Sequence, residues 1–372
     1  PKRSIPNYSE FYEARHFHEG NEIPVQVNFT DASGETYPVW MGSRLLFACR
    51  ENRKLTVAAE VCEDLWGAMP PSIAHAMAGA TLIVNGSASD EVTGKAAYRR
   101  QLVGGQSARL VCGYVYASAG EGESTTDLVF GGHNLIAENG TLLAQSQLFE
   151  TGLITADMDL GRLASERRRI TTYRMSGQEG YETVYFSQTQ EDLNLKRRID
   201  PAPFVPEGRE DRTRRCEEIL SIQAMGLKKR LEHTGCKSAV VGISGGLDST
   251  LALLVTVRAF DMLGISRGNI VTVTMPCFGT TDRTYDNACT LIRCLGTSFR
   301  EIDIREAVML HFRDIGHDSG KLDVTYENSQ ARERTQVLMD IANETGGLVI
   351  GTGDMSELAL GWATYNGDHM SM

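Results

Sequence analysis

No stretch of these 372 residues is apolar and long enough to cross a membrane, and no charged start followed by an apolar core marks a secretion signal. The eight cysteines (Cys49, Cys62, Cys112, Cys216, Cys236, Cys277, Cys289 and Cys294) are scattered without a C-x-x-C pair. Neither a zinc site nor a disulfide framework is indicated, and a reducing cytoplasm is the expected location. Basic runs are missing too. The net charge of −11 argues against a nucleic-acid surface, so an anionic nucleotide has to be met by local positive groups and helix ends. Beyond these absences, 41% hydrophobic and 23% charged residues are ordinary for a soluble globular chain of two or three domains. The chain opens at Pro1 inside a patterned stretch and closes at Met372 without a terminating signal; it is expected to be an internal piece of a longer polypeptide.

Residues 238–250 read S-A-V-V-G-I-S-G-G-L-D-S-T, and the second half is organised around them. The β-branched, apolar run 238–243 suits a strand buried on both faces of a parallel sheet. Ser244, Gly245, Gly246, Leu247, Asp248 and Ser249 form a tight glycine turn, after which Leu251, Leu254, Val255 and Ala259 begin a helical pattern. Strand, glycine loop and helix make an anion site: glycine lets the backbone approach the ligand, and free N–H groups of the first helical turn face it. The Ser244 and Ser249 hydroxyls can donate as well. The loop lacks the lysine that the common G-x-x-x-x-G-K-[ST] phosphate loop requires. It carries Asp248 instead, and a carboxylate faces a polyphosphate only across a cation, which implies Mg²⁺. A plain glycine turn before an ordinary helix leaves the two serines and the aspartate unexplained.

Downstream, strands at 270–275, 298–302 and 348–351 alternate with helices, one of them at 282–295. That order predicts a parallel, doubly wound sheet whose ligands sit beyond the carboxyl ends of the strands, where 244–249, 275–280 and 351–354 fall. Upstream, 44–50 and 55–61 predict adjacent strands, and Cys62 follows the second in a nucleophile-elbow position. A lone cysteine is more often an inert buried thiol. Its neighbours Glu60, Glu63 and Asp64 repel a thiolate, so activation needs a base or a cation from elsewhere. In the first twenty or so residues, read as an ordered loop, Lys2, Tyr8 and Glu13 are the chemically interesting positions. The spacing further predicts a helix at 72–80, a strand at 81–84, a helix at 94–110 interrupted at Gly104 and Gly105, and a strand at 112–117. A hairpin follows about Asn139 and Gly140, then a strand at 153–158 and a basic helix at 161–170. Residues 191–206 turn charged and then proline-rich, as a linker does.

S-G-G-x-D-S resembles the signature of the N-type ATP pyrophosphatases, which cleave ATP to AMP and pyrophosphate and adenylate an oxygen that a nitrogen nucleophile displaces. Residues 1–190 resemble the glutamine-hydrolysing amidase branch of the nitrilase superfamily. That family hydrolyses amides with a Glu–Lys–Cys triad. Lys2 in P-K-x-x-x-P-N-Y matches its lysine, and Cys62 in E-V-C-E-D-L-W its nucleophile; the family glutamate would lie before residue 1. Tyr8, Glu63, Ser89 and Lys95 match positions that line the glutamine pocket, with a surface lysine the equally open reading of Lys95. E-N-S-Q-A-R-E-R-T (327–335) and G-T-G-D-M-S-E-L-A-L-G-W-A-T-Y-N-G-D-H-M-S-M (351–372) resemble the NAD⁺ synthetase family, and the whole chain resembles its glutamine-dependent branch.

The resemblance implies that Ser244, Gly245, Gly246, Asp248 and Ser249 hold the ATP phosphates and that Thr352 lies near the nucleotide. Asp248 and Glu357 would hold Mg²⁺, and Asn328, Arg332 and Asp368 would hold deamido-NAD⁺. A surface salt bridge for Arg332 and a helix cap for Asp354 are the plainer readings. The fold class expected is α/β. It comprises a partial nitrilase-like αββα sandwich over 1–190, a linker over 191–211, and a doubly wound adenine nucleotide alpha hydrolase-like domain over 212–372. The implied reaction amidates deamido-NAD⁺ to NAD⁺ through an adenylated intermediate. ATP and glutamine are the other substrates, and AMP, pyrophosphate and glutamate the other products. The resemblance also implies a homo-oligomer, with no nucleic-acid or membrane partner. The alternatives are an amidotransferase of GMP or asparagine synthetase type with the same ATP loop, and a nucleotide-binding remnant without catalysis. With only Lys2 and Cys62 of the triad present, residues 1–372 alone are expected not to hydrolyse glutamine at a useful rate.

Overall fold

The computed structural model describes residues 1–123, 128–189, 194–278 and 282–361, with only the backbone at 282–284. The chain divides into two units, Pro1–Asp200 and a second from Pro201 onward.

In the first unit, β1 (Val25–Thr30) and β2 (Thr36–Met41) pair as an antiparallel hairpin sheet. The main sheet is built from β3 (Leu45–Cys49), β4 (Thr56–Val61), β5 (Leu82–Ser87), β6 (Gly113–Ser118), β7 (Leu135–Glu138), β8 (Thr141–Gln145) and β9 (Glu182–Phe186). Its order among the described residues is β8-β7-β6-β5-β4-β3-β9. β4, β5 and β6 run parallel, joined by α1 (Pro71–Met77) and α2 (Lys95–Leu110); α3 (Leu160–Arg169) follows β8. Strand side chains alternate between faces. Leu46, Ala58, Ile83, Tyr114, Tyr116 and Leu135 are buried in one cluster with Ala76 of α1 and Val103 and Leu110 of α2. The other face carries Phe47, Val57, Val84 and Val115, apolar and half-buried, the kind of surface that a second sheet covers in a sandwich. The unit is thus a mixed seven-stranded sheet with helices packed on one face, beside the β1–β2 hairpin.

Local expectations differ from the structure at a few places. The helix at 94–110 is not interrupted: α2 runs through Gly104 and Gly105, and Gly104 packs where a Cβ would stand 3.7 Å from the Gly140 carbonyl. Residues 153–158 form no strand: Leu153 is 90% exposed, and the Asp157 carboxylate accepts the N–H groups of Lys196 (2.6 Å) and Arg197 (2.8 Å). The sheet edge is β9 instead, paired in parallel with β3.

The second unit comprises α4 (Arg209–Thr234), β10 (Ala239–Gly242), α5 (Leu247–Leu263), β11 (Ile270–Thr274), α6 (Asp282–Leu295), β12 (Ser298–Glu301), α7 (Arg305–Ile315), α8 (Val324–Thr345), β13 (Leu348–Val349) and α9 (Met355–Leu360). Its sheet is parallel throughout, in the order β12-β11-β10-β13. The chain steps from β10 outward to β12 and then crosses back to lay β13 on the far side of β10. β10 is buried on both faces: Ala239 and Val241 pack with Leu253, Val257 and Phe260 of α5, and Val240 packs with Ile341 and Ala342 of α8. Helices cover both sides, so the sheet is doubly wound, with its switch point between β10 and β13.

Candidate functional sites

β4 delivers Cys62 at its carboxyl end, as the first residue of a 3-10 turn, Cys62–Leu65. Its φ of +50° is a left-handed conformation that a non-glycine residue keeps only when its surroundings hold it. Asn85 Oδ1 accepts the Cys62 N–H at 2.9 Å. Asp64, 1% exposed, accepts the Val61 N–H through Oδ2 at 2.9 Å. Its Oδ1 accepts the N–H groups of Arg3 (2.9 Å) and Ser4 (2.7 Å). One buried carboxylate therefore fastens the segment that bears Lys2 to the turn that bears Cys62, and three backbone donors satisfy it. The Lys2 ammonium pairs with Glu13.

The Tyr8 hydroxyl donates to Glu63 Oε1 at 2.6 Å. That bond, with burial and the Glu63 charge, pushes the phenol up to about 12, so it stays a donor. Lys95, at the start of α2, pairs with Asp90 and stands over the rings of Trp66 (5.3 Å) and Phe11 (5.7 Å). Phe11 in turn meets Tyr8 edge-on, with ring centroids 5.8 Å apart. Ser89 is buried, and its hydroxyl accepts from the fully buried Arg99 at 3.4 Å. Arg99 also pairs with Glu91 (2.9 Å) and donates to His133 Nδ1 (3.0 Å). Burial first, then the charge of Arg99, lowers the pKa of His133 and favours the neutral, accepting form. Lys2, Cys62, Tyr8, Glu63 and Lys95 thus share one locality, and Ser89 adjoins it through Asp90.

In the second unit, Gly245 takes a φ of +84°, which turns the chain from β10 into α5. The two serines stitch this loop together. Ser249 Oγ accepts the Ser244 N–H at 3.3 Å, and Ser244 Oγ accepts the Gly246 N–H at 3.2 Å. A cavity of about 460 Å³ opens at the carboxyl ends of β10, β11 and β13, with Ser244, Ser249, Thr274, Arg334 and Thr352 in its walls. That volume suits a small ligand. The Thr274 hydroxyl is buried there without a partner among the described residues, a position that a ligand donor or acceptor would satisfy. A second cavity, about 670 Å³, is lined by Asp248, Gly353, Asp354, Gln223 and Arg230 and shares Ile350, Gly351 and Thr352 with the first. The hydroxyls and the carboxylate of the loop therefore line different cavities. At α9, Asp354 and Glu357 exchange bonds in a capping box: Asp354 Oδ1 accepts the Glu357 N–H at 2.7 Å, and Glu357 Oε2 accepts the Asp354 N–H at 3.1 Å.

Asn328 is half-buried and Arg332 exposed on α8, and neither lines either of these two cavities. Asp368 lies outside the described residues, as do positions 279 and 280 of the 275–280 motif. The guanidinium in the first cavity's wall belongs to Arg334, which sequence reasoning passed over. Its signal was the spacing: Gln330, Arg334 and Leu338 repeat every fourth residue on one face of α8. Glu13 stood out in the sequence without a role, and the structure gives it Lys2 as a partner.

Residues 219–371 match the family model for NAD synthase. Along its whole length the chain is 42% identical to the glutamine-dependent NAD(+) synthetase of Mycobacterium leprae, covering 56% of that protein. It is 30% identical to the glutamine-dependent NAD(+) synthetase of Aquifex aeolicus, over 99% of this chain and 58% of that protein. The chain therefore spans a little over half the length of these curated relatives. A solved glutamine-dependent NAD⁺ synthetase from Acinetobacter baumannii, in complex with ADP, aligns with 99% of this chain and 57% of that chain, at 23% identity and a TM-score of 0.39.

Proposed function

We propose that the chain belongs with the glutamine-dependent NAD(+) synthetases and takes part in the ATP-dependent amidation of deamido-NAD⁺ to NAD⁺ with glutamine as the nitrogen source. The observation that carries this reading is the Ser244–Ser249 hydroxyl pair in the wall of a cavity at the switch point of a parallel sheet. A carboxylate is a poor electrophile, so the nicotinate carboxyl is first adenylated by ATP with loss of pyrophosphate, and ammonia then displaces AMP. Ser244, Ser249 and the N–H groups opening α5 bind phosphate oxygens, and Arg334 offsets their charge. Asp248 and Glu357 are hard oxygen donors of the kind Mg²⁺ takes, and they would hold it. When bound, Mg²⁺ would neutralise charge on the departing pyrophosphate. Asn328, Arg332 and Asp368 recognise deamido-NAD⁺.

In the first unit, the Cys62 sulfur attacks the glutamine amide carbon and ammonia leaves; water then cleaves the thioester and frees glutamate. Lys2, held by Glu13 and by the Asp64 clamp beside it, supplies the local cation that the acidic neighbours of Cys62 require. Tyr8, Glu63, Ser89 and Lys95 form the glutamine pocket. The test is AMP release from ATP, which should require deamido-NAD⁺. Release with xanthosine monophosphate or aspartate in its place favours the GMP or asparagine synthetase type. No release with any of the three leaves nucleotide binding without catalysis.

A further inference from the structure

Behind Cys62, on the helix-covered face of the main sheet, lie three polar side chains that the reaction as described does not use. Glu60 and Asn85 are each 1% exposed and Tyr114 is fully buried. Glu60 and Asn85 stand opposite each other on the parallel strands β4 and β5, with Tyr114 on β6. The Cys62 N–H donates to Asn85 Oδ1 at 2.9 Å, and Asn85 Nδ2 donates to the Tyr114 hydroxyl oxygen at 3.1 Å and to the Cys62 carbonyl at 3.5 Å. Tyr114 donates its proton to Glu60 Oε1. The other oxygen, Glu60 Oε2, accepts the Ser72 N–H at 2.8 Å.

The direction of these bonds is fixed from both ends. Backbone N–H groups only donate, so Cys62 demands the oxygen of the Asn85 amide. That turns the Asn85 nitrogen toward Tyr114, whose oxygen must accept and whose proton must go on to Glu60. Ser72 closes the chain with another fixed donor. Burial opposes a charge on Glu60, and the bonds from Tyr114 and Ser72 favour it.

We propose that Glu60, Tyr114 and Asn85 are positioning residues for the nucleophile. Asn85 grips the backbone of Cys62 in its left-handed conformation through both ends of its amide, and Glu60, acting through Tyr114, reinforces that orientation. This rests on the reading of Cys62 as the nucleophile. Glu60→Gln tests the polarity with a near-isosteric change. The new amide must either set its nitrogen against the Ser72 N–H, or turn over and reverse Tyr114 and Asn85, so that a nitrogen meets the Cys62 N–H. Tyr114→Phe breaks the chain between Asn85 and Glu60: Glu60 Oε1 loses its donor, and Asn85 Nδ2 keeps only the Cys62 carbonyl at 3.5 Å.

The experiment follows iodoacetamide alkylation of each cysteine by peptide mass spectrometry, from pH about 6 to about 9, in wild type and both variants. Cys112, fully buried with its thiol pushed up to about 12, reports on folding, and exposed Cys216 reports on the reagent. The expected result is a Cys62 rate lowered about tenfold or a displaced pH profile in both variants, with Cys112 still unlabelled. A Cys62 rate and profile like wild type's in either variant, with Cys112 protected, overturns the proposal. Labelling of Cys112 in both variants assigns the chain to folding alone and overturns it as well. Glutamine should slow Cys62 alkylation in wild type. If it does not, the nucleophile reading fails separately, and the two variants still decide whether the chain positions Cys62.

Discussion

Cys62 keeps its left-handed conformation because Asn85 takes up its own N–H and Asp64 takes up that of Val61. The cysteine was legible from sequence, since a strand that ends in a turn is a local pattern. Its supports were not, because Asn85 lies 23 residues away and the Arg3–Asp64 bond spans 61. No local period encodes such distances. The same holds for His75, whose Nδ1 meets the Tyr181 hydroxyl at 2.9 Å across 106 residues. Burial holds His75 down to about 4, against its ordinary 6.5. It is therefore neutral when folded and takes up a proton on unfolding in mild acid. Its contribution to stability is intact above pH 6.5 and is lost as the pH falls through 4, to a total of roughly 3 kcal/mol. Glu60, raised by burial, has the opposite slope, so the comparison must be between variants. Denaturant unfolding of wild type and His75→Gln at pH about 7.5 and about 5 should show a smaller acid-induced loss in the variant. Equal losses would contradict the assignment.

At the scale of elements, the second unit was the more legible, because its strands are short, buried and separated by helices of ordinary length. Asp282–Leu295 is the helix expected from the spacing. The first unit hid more. The paired glycines in α2 look like a break, yet the helix runs through both, and a Cβ at Gly104 would meet the Gly140 carbonyl of the β7–β8 turn at an ordinary 3.7 Å. A Cβ at Gly105 would meet nothing within 4 Å, so Gly105→Ala should raise stability by about 1 kcal/mol in denaturant unfolding. Gly347 makes the opposite case. A Cβ there would stand 2.7 Å from the Ser238 carbonyl oxygen, a backbone atom where β13 approaches β10. Gly347→Ala should cost more than about 2 kcal/mol on the same measurement. The edge strand β9 was missed because Glu182–Phe186 lies far along the chain from β3, and nothing local marks the pairing.

At the scale of the whole molecule, the proposed function divides two chemistries between two units: thiol attack on an amide in the first, and carboxyl activation in the second. Composition and motif order made that division legible, whereas the side chains that face each cavity emerged only with the fold, as the separation of Asp248 from Ser244 and Ser249 illustrates. The most direct measurement is deamido-NAD⁺-dependent AMP release in the longer parent protein, with glutamine or with an ammonium salt, for wild type, Cys62→Ala and Asp248→Ala. Cys62→Ala should abolish the glutamine-driven reaction and leave the ammonium-driven one near wild type, while Asp248→Ala should abolish both. Equal loss of both reactions in Cys62→Ala, or retained activity in Asp248→Ala at ordinary Mg²⁺, would contradict the division of labour.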